Sequence, residues 1–243
     1  MQFGFASGSA WAIDSAANPT PSPFGILQDV SVDFSFSNKE LTGQYGFPVA
    51  VGRGTGKISC KAKAARLSGR LLNLFFGGTK ATGQTSVAQD ELGTIPTTPF
   101  QVTVANSATF GIDLGVYDSA TGIPFVRVAS APAAGQYSVV AGVYTFNTAD
   151  VGKVVKISYT YTIAATGESI TIANQLMGTA PTFKAVATQI FNGLRSTLTL
   201  NSNVFSKLGA ATKLEDFNIP EFDWSTQADA ANNIGTWSLA EAS

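Results

Sequence analysis

Residues 151–162 alternate apolar with polar side chains: Val155, Ile157, Tyr159 and Tyr161 share one face, and Lys156, Ser158, Thr160 and Thr162 the other. A two-residue period built from β-branched and aromatic residues predicts a half-buried strand. Residues 135–140 and 143–147 read the same way, with breaks at Ala141-Gly142 and over residues 148–152. The stretch 135–162 therefore predicts a compact antiparallel meander.

Nearer the N-terminus, Val30, Val32, Phe34 and Phe36 alternate with Ser31, Asp33, Ser35 and Ser37, which predicts a strand over residues 28–37. Ile58, Cys60, Ala62 and Ala64 alternate with Lys57, Ser59, Lys61 and Lys63 and predict another. Between them, Gly43, Gly46, Pro48, Gly52 and Gly54 interrupt the chain, so residues 38–54 read as a long connection. Connections of that length in compact domains are usually functional or partner-bound. The period then changes: Leu71, Leu74 and Phe75 stand at i, i+3 and i+4, with Ser68 as N-cap and Gly77 as the stop. A short α-helix at about residues 68–77 follows, and its apolar face calls for a covering sheet.

Residues 79–98 read as a polar loop, with a short helical turn near 87–92. Strands are expected over 100–104, 109–116, 123–130 and 168–176, with a turn at 118–122. Residues 183–191 and 194–200 flank Asn192-Gly193, a strong hairpin signal. In residues 213–225, Phe217, Ile219, Phe222 and Trp224 stand among Glu215, Asp216, Glu221 and Asp223, which reads as an edge segment pinned by aromatics. Residues 235–239 predict a last strand. Residues 1–24, with Pro19, Pro21 and Pro23, read as an extended arm that orders only against something else. The expected fold is mainly β: an antiparallel β-sandwich or barrel with one short flanking helix. It comprises an arm (1–24) and a β domain (25–243), in which 99–163 is a candidate immunoglobulin-like inserted lobe.

Composition narrows the function. The chain has 243 residues, 13% of them charged, and a formal net charge of −1. That balance makes no electrostatic case for nucleic acid or an anionic membrane, and near-neutral surfaces tend to associate. Histidine is absent, which removes the commonest general base and metal ligand. Cys60 stands alone, so neither an intrachain disulfide nor a cysteine-cluster metal site is available. The N-terminal sequence lacks a basic region followed by an apolar run, and no apolar run approaches membrane-spanning length. These features lead to the expectation of a soluble, disulfide-free protein made in the cytoplasm.

Motifs for chemistry are weak. Gly52-Arg53-Gly54-Thr55-Gly56-Lys57 looks like a phosphate loop, but Val51 stands where its first glycine belongs and Ile58 where the magnesium-binding hydroxyl belongs. Asp216, Glu221 and Asp223 lack the spacing of a calcium loop. Alternation places Cys60 opposite Lys61 and Lys63, as a small core residue. With no histidine, metal cluster or nucleophile motif, an enzyme is not expected, and neither is a cofactor. Charge is distributed unevenly: Arg53, Lys57, Lys61, Lys63, Arg66 and Arg70 face a single acid, Glu40, within residues 39–80, while residues 215–223 are acidic. Two readings are open. Both runs are solvated faces, or Lys57, Lys61 and Lys63 meet Asp216, Glu221 and Asp223 across a subunit boundary.

Several stretches together resemble the major tail (tail tube) proteins of long-tailed bacteriophages. They are GQYSVVAGVYTFNTADVGKVVKISYTYT, ITIANQLMGTAPTF, TKLEDFNIPEFDWSTQADAANNIGTWSLAE and SNKELTGQYGFPVAVGRGTGKISCKAKAARLSGRLLNLFFGG, in shared order over most of the chain. The resemblance implies a virion protein that forms hexameric rings stacked into a hollow tube, with one sheet of each subunit continuing into its neighbours' sheets. DNA would cross the lumen without sequence-specific binding, and the partners would be further copies, a tape measure and a tail terminator, with no membrane. Ser31, Asp33 and Ser35 become candidate lumen-facing residues. Lys39, Glu40, Leu41, Gln44, Tyr45 and Phe47 become a candidate ring-to-ring contact loop. Deleting residues 1–23 or 41–50 is then expected to leave a folded monomer that cannot polymerise. The competing class is an immunoglobulin-like carbohydrate- or host-surface-binding module within 99–162, which expects Tyr117, Tyr137 and Tyr144 to be exposed.

Overall fold

A computed structural model describes residues 8–191, 193–212 and 214–240. In chain order the first elements are β1 (Ser9–Asp14), β2 (Ser22–Pro23), β3 (Gly25–Thr42), β4 (Pro48–Arg66) and helix α1 (Gly69–Phe76). Next come β5 (Thr79–Thr94), β6 (Gln101–Thr103), β7 (Phe110–Asp118), β8 (Val126–Arg127), β9 (Gln136–Val140), β10 (Val143–Phe146) and β11 (Val154–Thr171). The last are β12 (Thr182–Phe191), β13 (Leu194–Gly209), β14 (Glu221–Gln227) and β15 (Gly235–Leu239). The fold is thus mainly β, with antiparallel sheets and a single α-helix among the described residues. The chain forms two compact units, Met1–Lys80 with Ile170–Ser243, and Ala81–Ser169. The second unit takes in residues 81–98 as well as the segment singled out in the sequence.

The first unit is built on an eight-stranded sheet in the order β2-β1-β12-β13-β14-β4-β3, with β15 also paired to β13. The alternation in residues 57–64 is realised: Cys60, Ala62 and Ala64 are buried, whereas Lys57, Lys61 and Lys63 are exposed. Beside them, Phe222 and Trp224 of β14 and Phe183 and Leu200 of β12 and β13 complete the core. Helix α1 buries Leu71 and Leu74 in it. Ser68 Oγ accepts from Leu71 N at 3.2 Å, and Gly77 ends the helix with φ 58°, its N–H bonded to Asn73 O. A Cβ at Gly77 would meet Gln175 Nε2 at 2.7 Å and Pro181 Cγ at 2.9 Å, so these side chains would have to shift, and the left-handed backbone is the stronger reason for glycine there.

The second unit is a two-sheet sandwich. The sheets β6-β10-β9-β8 and β5-β11-β7 enclose Val116, Tyr137, Tyr144, Phe146, Val155, Ile157 and Tyr159. The expected meander is realised only in its first two strands: β9 and β10 pair through Ala141-Gly142, both at positive φ, as a two-residue hairpin turn demands, whereas β11 crosses to the other sheet and lies between β5 and β7.

Several expectations are corrected. Residues 38–54 are not a loose connection: β3 and β4 pair from Gly25↔Arg66 to Thr42↔Pro48, so most of the segment is a long antiparallel hairpin. Residues 79–94 form strand β5, with no helical turn near 87–92. Of residues 123–130 only Val126–Arg127 is strand, and β11 stops at Thr171 rather than running to residue 176. Strand β14 is not an edge, because it lies between β13 and β4. The N-terminal arm is in part a structural element: β1 pairs with β12 and buries Ala10 and Ala12, and Phe24 is core. Deleting residues 1–23 would therefore open the core, so only the 41–50 deletion separates folding from assembly. Strands β12 and β13 pair to Phe191↔Leu194 as the hairpin signal requires; Asn192 itself, Lys213 and residues 1–7 of the arm lie outside the described residues.

Candidate functional site

The polar face of the first unit's sheet gathers most of the charged residues singled out in the sequence. Directly opposite residues on neighbouring strands share a face, about 4.5–5.5 Å apart at Cβ. The register sets Ser31 beside Lys61 and Lys61 beside Asp223; Asp29 beside Lys63 and Lys63 beside Glu221; Asp33 beside Ser59; and Ser35 beside Lys57. Asp33 and Ser35 are exposed and Ser31 is half-buried. The candidate lumen residues and the basic strand thus form one continuous surface of alternating sign.

This register gives the basic strand acidic neighbours within its own chain. Lys61 and Lys63 already neighbour Asp223 and Glu221 within one chain, on adjacent strands. Lys207 of β13 adds ion pairs to Glu221 at 3.7 Å and Asp223 at 4.0 Å. Solvated pairs of this kind contribute little to stability. Asp216 stands apart in the exposed segment before β14, where its Oδ1 accepts from Phe217 N at 2.8 Å.

The contact-loop residues sit at the far end of the β3–β4 hairpin. Lys39, Glu40 and Leu41 lie opposite Gly52, Val51 and Ala50, and Gln44, Tyr45 and Phe47 lie in the reversal between the strands. Apolar side chains are exposed on both faces: Leu41 on the side shared with Ala50, Val49 and Val51 on the other, and Phe47 at the tip with 84% of its surface open. Nearer the base, the Arg53 guanidinium lies 3.6 Å from the centre of the Phe36 ring. A two-stranded ribbon has marginal stability in water, and clustered exposed apolar groups mark interaction surfaces. Two loops of the same unit add Leu176 and Met177, and Leu214 and Phe217, all exposed.

The second unit presents the opposite chemistry. Asp113, its side chain 3% exposed, accepts from Tyr137 Oη at 2.7 Å, Tyr144 Oη at 2.9 Å and Gly115 N at 3.1 Å, with Arg127 Nη1 at 3.6 Å. Burial, reinforced by this carboxylate, raises the pKa of both phenols well above the ordinary tyrosine value. Tyr159 donates to Glu91 Oε2 at 2.6 Å, and Glu91 Oε1 accepts from Ala105 N. Asp150 is buried between Lys153 Nζ at 2.7 Å and Gly135 N at 2.8 Å. Tyr137 and Tyr144 are therefore core residues, against the expectation of an exposed aromatic binding surface; of the three tyrosines only Tyr117 is exposed.

Burial pushes the Cys60 thiol up to about 11, which keeps it protonated and inert at neutral pH. Among the described residues no three potential metal ligands cluster, and no helix is long and apolar enough to cross a membrane. A cleft of about 430 Å³ beside α1 is lined by Asp14, Ser22, Arg70, Asn73 and Lys80. Sequence reasoning missed two features: the hairpin's strand character, and the inward-facing Asp113 between Ile112 and Leu114. No family model matches the chain, and no curated protein matches it.

Proposed function

We propose that this chain is a structural virion protein that assembles with copies of itself into stacked rings, forming the hollow tail tube of a long-tailed bacteriophage. The observation that carries this reading is the β3–β4 hairpin, which holds Leu41, Tyr45, Phe47, Val49 and Val51 in water on both faces and at its tip. An aromatic side chain that moves from such exposure into an interface contributes roughly 1.5–3 kcal/mol of gross burial energy before ordering costs are subtracted. The resemblance supplies the architecture: the hairpin as the contact between rings, the sheet as the wall, and other tail proteins at the ends. The polar face bearing Asp29, Asp33, Lys61, Lys63, Glu221 and Asp223 mixes signs, which suits a wall that DNA passes without being held.

Negative-stain microscopy of the purified protein tests the reading. Tubes or six-fold rings are expected from the natural chain, and a folded monomer from a Tyr45→Asp/Phe47→Asp variant. A natural chain that stays monomeric at high concentration would overturn it.

A further inference from the structure

An apolar slot opens on the first unit where β3 faces β12, β13 and β15. Its two parts, of about 240 and 180 Å³, share Leu198 and Trp237; Val30 and Val32 line the first, Phe34 and Ile234 the second. Both are smaller than the roughly 300–1,000 Å³ of small-molecule sites, so they suit side chains. Trp237 stacks on Phe34 with ring centres 6.1 Å apart, yet the two stay 60% and 45% exposed. Exposed tryptophan is the residue type on which interfaces concentrate their energy. Among the described residues no lining side chain is charged. The end of the β3–β4 hairpin, residues 41–51 (LTGQYGFPVAV), is uncharged too, and it holds Tyr45 and Phe47 in solvent. Joining two such surfaces strips water from no ion. The tip cannot fill the slot of its own chain. Thr42, where β3 ends, lies eight residues beyond Phe34, about 26 Å of extended strand, and the ladder to β4 holds the ribbon out along that length.

We propose that the slot receives the hairpin tip of a second copy of this chain, with Phe47 seated against Trp237 and Phe34. The proposal rests on the self-assembly reading above and names the surface that receives the hairpin. Tip and slot are different patches, so each copy gives one contact and accepts another. A heterologous contact of this kind either closes into a ring or extends as a filament. Two aromatic rings and the wall they cover bury about 600–1,000 Å², less than the roughly 1,200 Å² that a stable pair needs. One contact alone is therefore weak, and repetition along the assembly holds it.

Thiol crosslinking between two single-site variants tests it, because the natural Cys60 is buried and stays silent. Gly46→Cys places the thiol at the tip, where a Cβ meets nothing within 4 Å, and Thr236→Cys places it at the exposed slot wall. The mixed proteins, treated with a short bismaleimide, are expected to give at least tenfold more crosslinked heterodimer than Gly46→Cys mixed with Ser130→Cys, an exposed position in the second unit. Adding Phe47→Asp to the Gly46→Cys chain should abolish that excess while its circular dichroism stays unchanged. Negative-stain microscopy of the natural chain is read in parallel. Rings or tubes without the excess would overturn the proposal and leave the tube reading standing; an excess without rings or tubes would uphold the contact and overturn the tube. An equal yield when Phe217→Cys replaces Gly46→Cys would assign the slot to another loop and overturn the proposal.

Discussion

The two units solve the same problem, burying the faces of β-sheets, to different degrees of completion. In the second, buried Asp113 finds two phenolic donors and a backbone N–H, Asp150 finds an ammonium and a backbone N–H, and Glu91 finds Tyr159 and Ala105 N. In the first, the indole N–H of Trp224 has no acceptor, Asn73 Oδ1 has no donor, and the β3–β4 hairpin carries apolar side chains into solvent. Buried polar groups in finished folds are paired almost without exception, and large exposed apolar surfaces are uncommon on monomers. The contrast lies in the buried polar groups: the second unit pairs its carboxylates within its own fold, whereas the first leaves buried polar atoms unpaired.

The sharpest way to break this comparison is to remove the carboxylate at the centre of the closed network. Asp113→Ala leaves Tyr137 Oη, Tyr144 Oη and Gly115 N without their acceptor, and should cost about 3–5 kcal/mol in urea unfolding of the chain. A loss below about 1 kcal/mol would show that the network is not what holds the unit together. The phenols give the same network a pH signature. Their folded pKa values lie above the unfolded value of about 10, so their contribution is complete below that pH and is lost as pH rises beyond it. Stability of the second unit should therefore fall on the alkaline side, and the fall should be shallower in Tyr137→Phe and Tyr144→Phe.

Asp113 also shows where sequence pattern stops being informative. Its flanking Ile112 and Leu114 look like the inward residues of β7, yet both are exposed and the aspartate is inside. Irregular register between β7 and β11, at Ser158/Tyr159 and Tyr159/Tyr161, together with Gly115 at φ 114°, breaks the period. The hairpin was hidden for a different reason: four glycines and Pro48 interrupt residues 38–54, and with neither face buried nothing forces an alternation. Pairing of β14 with β4 joins residues far apart in the chain, so no local signal could announce it. By contrast, strand faces with one buried side, such as Ile58–Ala64 and Val155–Tyr159, and the two caps of α1 were legible because their determinants are local.

A middle-sized effect tests the ordered part of the first unit. Gly77→Ala forces a left-handed backbone onto a residue with a Cβ, at about 1–2 kcal/mol, and crowds Gln175, whose Nε2 donates to Phe76 O and Gly77 O. Denaturant unfolding should show at least that loss. Gly77→Asn, which tolerates the left-handed region better, should recover part of it.

The smallest stability effect is the most informative about the hairpin. Phe47 is 84% exposed, so Phe47→Ser should leave unfolding free energy within about 0.5 kcal/mol of the natural value. If the side chain is instead an assembly contact, the same substitution should lower the mass of sedimenting polymer severely while the monomer's circular dichroism stays unchanged. The two readouts separate because an exposed residue contributes to folding only through what it touches in the monomer, and Phe47 at the tip touches little there. A variant that loses more than about 1 kcal/mol of stability would mean that the tip packs within its own chain. A variant that is stable and polymerises normally would remove the hairpin tip from the assembly surface, and leave Leu176, Met177, Leu214 and Phe217 as the exposed groups to test next.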